Sequence, residues 1–411
     1  MKKIILFFFL LPISLDIIAD TIVSKLPFYV EVTIDSIIKN GIKDQIFPGC
    51  QVMAIHQDTV IFSKCYGYQT YDQTIPVDEH TLYDVASITK SAATTLAIMK
   101  LYDENKIKLN DTIGQYLPYL KGSDKSKLLL VELLTHTSGL PAYIPFYKAI
   151  AKNPNYLDTV VSELFSVQIA DRLYLRNDYP DSIRAKIANC KLGTKKYVYS
   201  DLGFFLLKEM VENITRESLD SYLEKKFYQP LELQNTCFNP LNHGFTKKQI
   251  APTEIDMTFR NQTIEGYVHD QTAALFNGIG GNAGLFSTAH DLGIIFQMLM
   301  NGGIYRGQSL LSPETVLLFT STFPLHKCNH RALGFDTPSF EKPSDILPVA
   351  ADKTTYGHQG FTGTVFWCDP KEKLIYIFLS NRVYPCAEPN KLSQSKIRLY
   401  VQENFYESIE F

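Results

Sequence analysis

A serine hydroxyl is a poor nucleophile at neutral pH unless a base lies within hydrogen-bond reach. A lysine three residues downstream on a helix shares the serine's face, about 5–6 Å away at Cβ. Taken out of water and set among other cationic or donor groups, such a lysine can give up its proton. A serine at the helix's first turn also gains backbone N–H groups and the positive end of the helix dipole. This Ser-x-x-Lys spacing occurs at Ser36–Lys39, Ser87–Lys90, Ser339–Lys342 and Ser393–Lys396, so spacing alone selects nothing. Ser36 precedes the first predicted strand, on an ordinary surface helix. Ser339 and its lysine are flanked by Pro338 and Pro343, which reads as a loop. Ser393 falls in the last predicted helix, with little chain beyond it to supply partners. Ser87 has partners downstream.

The first is Tyr199-Ser200-Asp201. A phenol beside the lysine can take the serine proton and pass it to a leaving group. The same Tyr-x-Asp spacing occurs at Tyr156 and Tyr179, but position and the following Leu202-Gly203 favour Tyr199. The second is His358-Gln359-Gly360, just ahead of a predicted strand. A glycine-flanked edge strand can offer a backbone N–H to an oxyanion and pair with an extended acyl chain. The catalytic candidates are therefore Ser87, Lys90 and Tyr199. Asp201, His358 and Gly360 support them, and the N–H groups of Ser87 and Phe361 are the candidate oxyanion donors.

These residues need elements to hold them. Val30, Ile34, Ile37, Ile38 and Ile42 recur at helical spacing and predict a helix over 29–43. Residues 50–56 and 59–65 read as a hairpin turning at Gln57-Asp58. With a two-residue turn Cys50 would face Cys65, yet as a hydrogen-bonded pair with widely separated Cα atoms, so free thiols are expected. Ser87 opens a second helix. Residues 141–193 read as helical or irregular, and 202–217 as a strongly amphipathic helix. Residues 364–369 and 374–380 are apolar, β-rich runs joined by a polar turn, the mark of adjacent antiparallel strands in a buried sheet. Residues 390–409 close the chain as a helix. Strands at both ends and helices between predict an α+β fold, its sheet built from about 26–105 and 285–411, with a helical part inserted at about 106–284.

Ser-x-x-Lys, Tyr-x-Asn and Lys- or His-x-Gly, in that order, resemble the class C β-lactamases, D,D-peptidases and related esterases. The segments 84–90, 133–140, 199–203, 281–287 and 357–363 are similar to that family's usual neighbourhoods, and the likeness covers about 30 to 385. The resemblance implies a β-lactamase-like fold: an antiparallel sheet flanked by helices with an inserted all-helical subdomain. It also implies acyl-enzyme chemistry on Ser87, a cell-envelope setting, and a small-molecule or peptidoglycan-derived peptide substrate. Two positions depart from the pattern. Asp201 stands where asparagine is usual, and an ionised aspartate only accepts hydrogen bonds. Its charge would favour the cationic form of Lys90 and move part of the base role to Tyr199. His358 stands where the peptidases carry lysine, and a histidine is mostly neutral at pH 7. That weakens carboxylate recognition at this position. Three readings follow: a D-amino-acid peptidase, an esterase or weak β-lactamase, and a non-catalytic binder of peptidoglycan fragments.

The remaining features bound these readings. The chain has 411 residues and a net charge of −3, which suggests neither nucleic acid nor an anionic membrane surface as partner. Lys2, Lys3 and the apolar run from Ile4 to Leu15 read as a signal peptide over 1–19, predicting a periplasmic or secreted protein. Membrane association would come only through an uncleaved signal. The seven cysteines lack metal-ligand spacing, and no cofactor motif occurs. The run 278–283 matches a dinucleotide fingerprint in letters but follows helix-like sequence, so it reads as a loop near the cleft. His136 reads as a hydrogen-bonded structural residue at a helix end.

Overall fold

A computed structural model describes residues 23–328, 330–339 and 346–409; the signal-peptide reading over 1–19 lies outside them. Six antiparallel strands form the central sheet, in the order Val23–Ser24, Thr59–Gly67, Gly49–His56, Leu374–Ser380, Thr364–Asp369 and Tyr356–Gly360. Successive side chains of a strand point to opposite faces, and here both faces are covered. Val52, Ala54, Trp367, Tyr376 and Phe378 form one core with Val30, Ile34 and Ile38 of the helix Phe28–Lys43, and with Val401 and Phe405 of the helix Ile397–Ile409. Met53, Ile55, Phe366, Ile375 and Ile377 belong to a second core, shared with the helix Ala289–Met300 and the central helices. Burial on both faces is why residues 374–380 carry no polar alternation. The two covering helices meet at Gly41, where a Cβ would lie 2.7 Å from Ile397 Cδ1.

The hairpin differs from expectation in register. Gln57 and Asp58 both have positive φ, as a two-residue primed turn requires. A bulge between Ala54 and Ile55 then places Cys50 opposite Tyr66 and Gln51 opposite Cys65. Both thiols are free. Burial pushes the Cys65 thiol up to about 12, so it is protonated and unreactive.

The inserted part is not purely helical. Leu157–Asp158, Leu173–Arg176 and Phe165–Ala170 form a small antiparallel sheet within the stretch read as helical or irregular. Phe165, Val167 and Ile169 alternate with Ser166 and Gln168, a strand pattern, and Arg172 turns the chain with a φ of 46°. The last helix is likewise two, Lys391–Ser395 and Ile397–Ile409, broken at Lys396 where φ is 55°. Among the described residues no helix is long and apolar enough to cross a membrane.

Phe405 joins the last helix to the sheet. It is fully buried, with its ring centroid 5.4 Å from that of Phe62 and 5.8 Å from that of Tyr376. Phe405→Ala should lower the unfolding free energy by about 3–5 kcal/mol in urea titrations. A loss below about 1 kcal/mol would mean that this helix does not clamp the sheet.

Candidate active site

Ser87 sits on a tight turn at the head of a helix. Amide groups of Ile88, Thr89 and Lys90 donate to the carbonyls of Val85, Ala86 and Ser87, and a wide π-helical turn at Lys90–Thr95 follows. Such wide turns recur at functional sites. Ala86 holds a φ of 47°, a strained value that its surroundings must fix. They do so through Asp84, whose buried carboxylate accepts from Ala86 N at 2.8 Å and from His269 N at 2.6 Å. Hydroxyls of Thr362 and Thr364 donate to the carbonyls of Asp84 and Val85 at 2.7 and 3.1 Å. The turn that joins the strands Tyr356–Gly360 and Thr364–Asp369 is thereby pinned beside the Ser87 turn. A Cβ on Gly360 would meet Val85 O at 2.5 Å, so only glycine permits this approach.

Lys90 is fully buried. Its Nζ lies 2.9 Å from Ser87 Oγ, 2.7 Å from Asp201 Oδ1 and 3.0 Å from Asn282 O. It also stands 5.0 Å from the centre of the Tyr199 ring and 5.6 Å from that of Phe204. Burial pulls the Lys90 pKa down, but Asp201 and Tyr199 outweigh it and the net shift is upward. The resting lysine is a cation.

Asp201 is the first residue of the helix Asp201–Thr215, just after Tyr199 and Ser200. That segment is oriented by His136, which follows the short helix Leu130–Leu134 with a φ of 56°. His136 Nδ1 accepts from Ser200 N at 3.1 Å, and its ring centre is 4.4 Å from that of Tyr199. His358 lies on the other side, 6.0 Å from Tyr199 between ring centres, with Nδ1 2.8 Å from Gln359 O. Both histidines are held well below the ordinary histidine pKa, first by burial and then by the charges of Arg331 and Lys90. They are neutral at pH 7.

The residues singled out in the sequence thus converge. Ser87, Tyr199, His358, Gly360 and Phe361 line one cleft of about 480 Å³, and Lys90 with Asp201 lies immediately behind Ser87. Asp84, Asn282 and Arg331 escaped sequence reasoning. Asp84 and Asn282 lie inside the segments 84–90 and 281–287, where position hinted at a role that residue type did not. Arg331 carries no motif. Its guanidinium is fully buried, paired with Asp336, and acts on both histidines. Among the described residues no cluster of His, Cys, Asp and Glu is arranged to hold a metal ion.

A family model described as Beta-lactamase matches residues 34–397. A protein of Salmonella gallinarum (strain 287/91 / NCTC 13346) named "Putative D-alanyl-D-alanine carboxypeptidase" is 33% identical over 382 residues, covering 87% of this chain and 84% of its own. Among solved structures, a class C β-lactamase aligns over 91% of this chain and 98% of its own, with a TM-score of 0.65 at 16% identity. EstCE1, a hydrolase with promiscuous acyltransferase activity, aligns over the same shares, 91% and 98%, with a TM-score of 0.67 at 19% identity. At these identities the two structures speak for the fold.

The neutral histidines have a measurable consequence. In the unfolded chain each takes a proton near pH 6.5, while in the folded protein each resists it. The unfolded state therefore binds more protons as pH falls, and stability rises with pH through this range. The contribution is present above about pH 6.5 and is lost below it, by up to about 1.4 kcal/mol per pH unit for each histidine. Urea midpoints should fall between about pH 7.5 and about pH 5.5, and fall less in His136→Asn. A flat profile would mean that the two rings titrate normally.

Proposed function

The chain belongs to the β-lactamase family and is a serine hydrolase of the β-lactamase and D,D-peptidase type, and we propose that it acts through an acyl-enzyme on Ser87, cleaving peptides built from D-amino acids in the cell wall. The observation that carries this reading is the position of Lys90: fully buried, 2.9 Å from the Ser87 hydroxyl and 2.7 Å from Asp201.

Ser87 Oγ attacks an amide carbonyl. Its proton moves by way of Tyr199 to the leaving amine, beside the cation of Lys90. The lysine starts as a cation and cannot take that proton, so its task is electrostatic: it favours the deprotonated form of the neighbour that acts as base and takes the proton. Tyr199 is the neighbour placed to receive it. The backbone N–H groups of Ser87 and Phe361 stabilise the oxyanion, and water then releases the acyl group. Gly360 lets the strand that leads into Phe361 come close. The relative from Salmonella, by its name, supports the D-alanyl-D-alanine peptide as the substrate class. The signal reading over 1–19 supports action in the periplasm or outside the cell. A second reading, a carboxylic esterase or weak β-lactamase, draws on the neutral His358, which offers no positive charge to a carboxylate.

A fluorescent penicillin and a fluorophosphonate should both label the protein, and Ser87→Ala should abolish labelling. Absence of labelling by either probe, or labelling that survives in the variant, would sink the proposal. Asp201→Asn tests the role given to Lys90. Removing the carboxylate lowers the lysine's proton affinity, so the alkaline pH at which labelling is half lost should move to a lower value. An unmoved midpoint would show that labelling does not depend on the charge of Lys90.

A further inference from the structure

Two N–H groups can stabilise an oxyanion together only if each is held to within about 0.5 Å of its place. The two candidates sit on separate stretches of chain. Ser87 N follows the strained Ala86, and Phe361 N lies on the turn at 360–363, where Gly363 N donates to Gly360 O at 3.1 Å. Phe361 is 53% exposed, so core packing does not hold it. One residue outside the three motifs touches both stretches. His269 is almost fully buried, and its backbone N–H donates to Asp84 Oδ2 at 2.6 Å, while Asp84 Oδ1 accepts from Ala86 N at 2.8 Å. Its imidazole stacks on the Phe361 ring, with 5.5 Å between centres and 25° between planes.

His269 is fixed in turn. Its carbonyl accepts from Arg260 Nη2 at 2.7 Å, and the buried Arg260 is paired with Asp256 at 2.8 Å. Its Nε2 lies 2.8 Å from Glu254 Oε2. Glu254 Oε1 accepts from Ala387 N at 3.3 Å, Ala387 O accepts from Arg382 Nη1 at 2.5 Å, and Arg382 Nε donates to Phe361 O at 3.0 Å. These contacts close a ring from Phe361 through Arg382, Ala387, Glu254 and His269 back to Phe361. A branch runs from His269 through Asp84 to the Ser87 turn. Displacing Phe361 therefore strains bonds on two sides of the ring at once.

We propose that His269 is a positioning residue for the oxyanion hole: its backbone N–H fixes the Ser87 donor through Asp84, and its ring fixes the Phe361 donor. It touches no reacting atom. The proposal rests on the acyl-enzyme reading above and adds to it a residue that none of the three motifs contains.

The test is the kinetics of Ser87 labelling by a fluorophosphonate, read as a maximal rate and a half-saturating concentration. His269→Ala should lower the maximal rate by about tenfold to a hundredfold, the cost of a group displaced by up to about 1 Å, with half-saturation little changed. His269→Phe keeps a flat ring on Phe361 and should recover most of the loss. Phe361→Ala keeps its N–H but removes the same stack, so it too should slow labelling. The double variant should then be no slower than the slower single one. An unchanged rate in His269→Ala, an equal loss in His269→Phe, or losses that multiply in the double variant overturns the proposal. If His269→Ala does not fold, Phe361→Ala carries the test, since its side chain is exposed, and an unchanged rate there overturns the proposal as well. If the wild-type protein is not labelled, the acyl-enzyme reading fails and the brace is read by amide hydrogen exchange. Exchange at 361–363 should quicken in His269→Ala and stay near wild type in His269→Phe. Exchange unchanged in His269→Ala overturns the brace.

Discussion

The site depends on burying an ammonium group. Lys90 has no contact with solvent, and a buried charge is tolerated only when paired and hydrogen-bonded. Its partners come from far-apart stretches of chain: Ser87 on its own turn, Asp201 at the start of a helix, Asn282 in a loop, with the Tyr199 ring alongside. Satisfying this one cation obliges these stretches to meet at one point. The family's usual asparagine would satisfy the lysine by hydrogen bonding alone. Aspartate adds a full charge, which stabilises the assembled site and holds the resting lysine protonated.

The surrounding charges divide into two zones. Around Lys90, burial first and then the charges of Arg331 and Lys90 keep His136 and His358 neutral, so those rings act as shape and hydrogen-bonding groups. In front of Ser87, Arg382, just after the strand Leu374–Ser380, and Arg398, in the helix Ile397–Ile409, line the cleft.

Legibility in the sequence followed the range of the interactions. The strands Thr364–Asp369 and Leu374–Ser380 match the expected spans because burial on both faces leaves an unbroken apolar run. The order of Ser87, Tyr199 and His358 was readable because each sits in a distinctive local segment. The register of Cys50 and Cys65 was not, because a bulge inserts one residue without a compositional mark. The small sheet formed by residues within 157–176 was masked by polar positions that serve equally well in loops. Arg331 and Arg382 owe their importance to partners distant in sequence, which periodicity does not record.

The central strand Gly49–His56 pairs with Leu374–Ser380, two segments near opposite ends of the chain. Pairings of such long sequence separation form late, because the intervening chain must be ordered first. During synthesis the ribosome delivers Ser87 and Lys90 long before Asp201, and longer still before the strand that borders the cleft. A partly made chain holds Ser87 and Lys90 without Asp201 and lacks one wall of the pocket. The cleft is therefore assembled only after the strands between Tyr356 and Ser380 have joined the sheet begun by Gly49–His56.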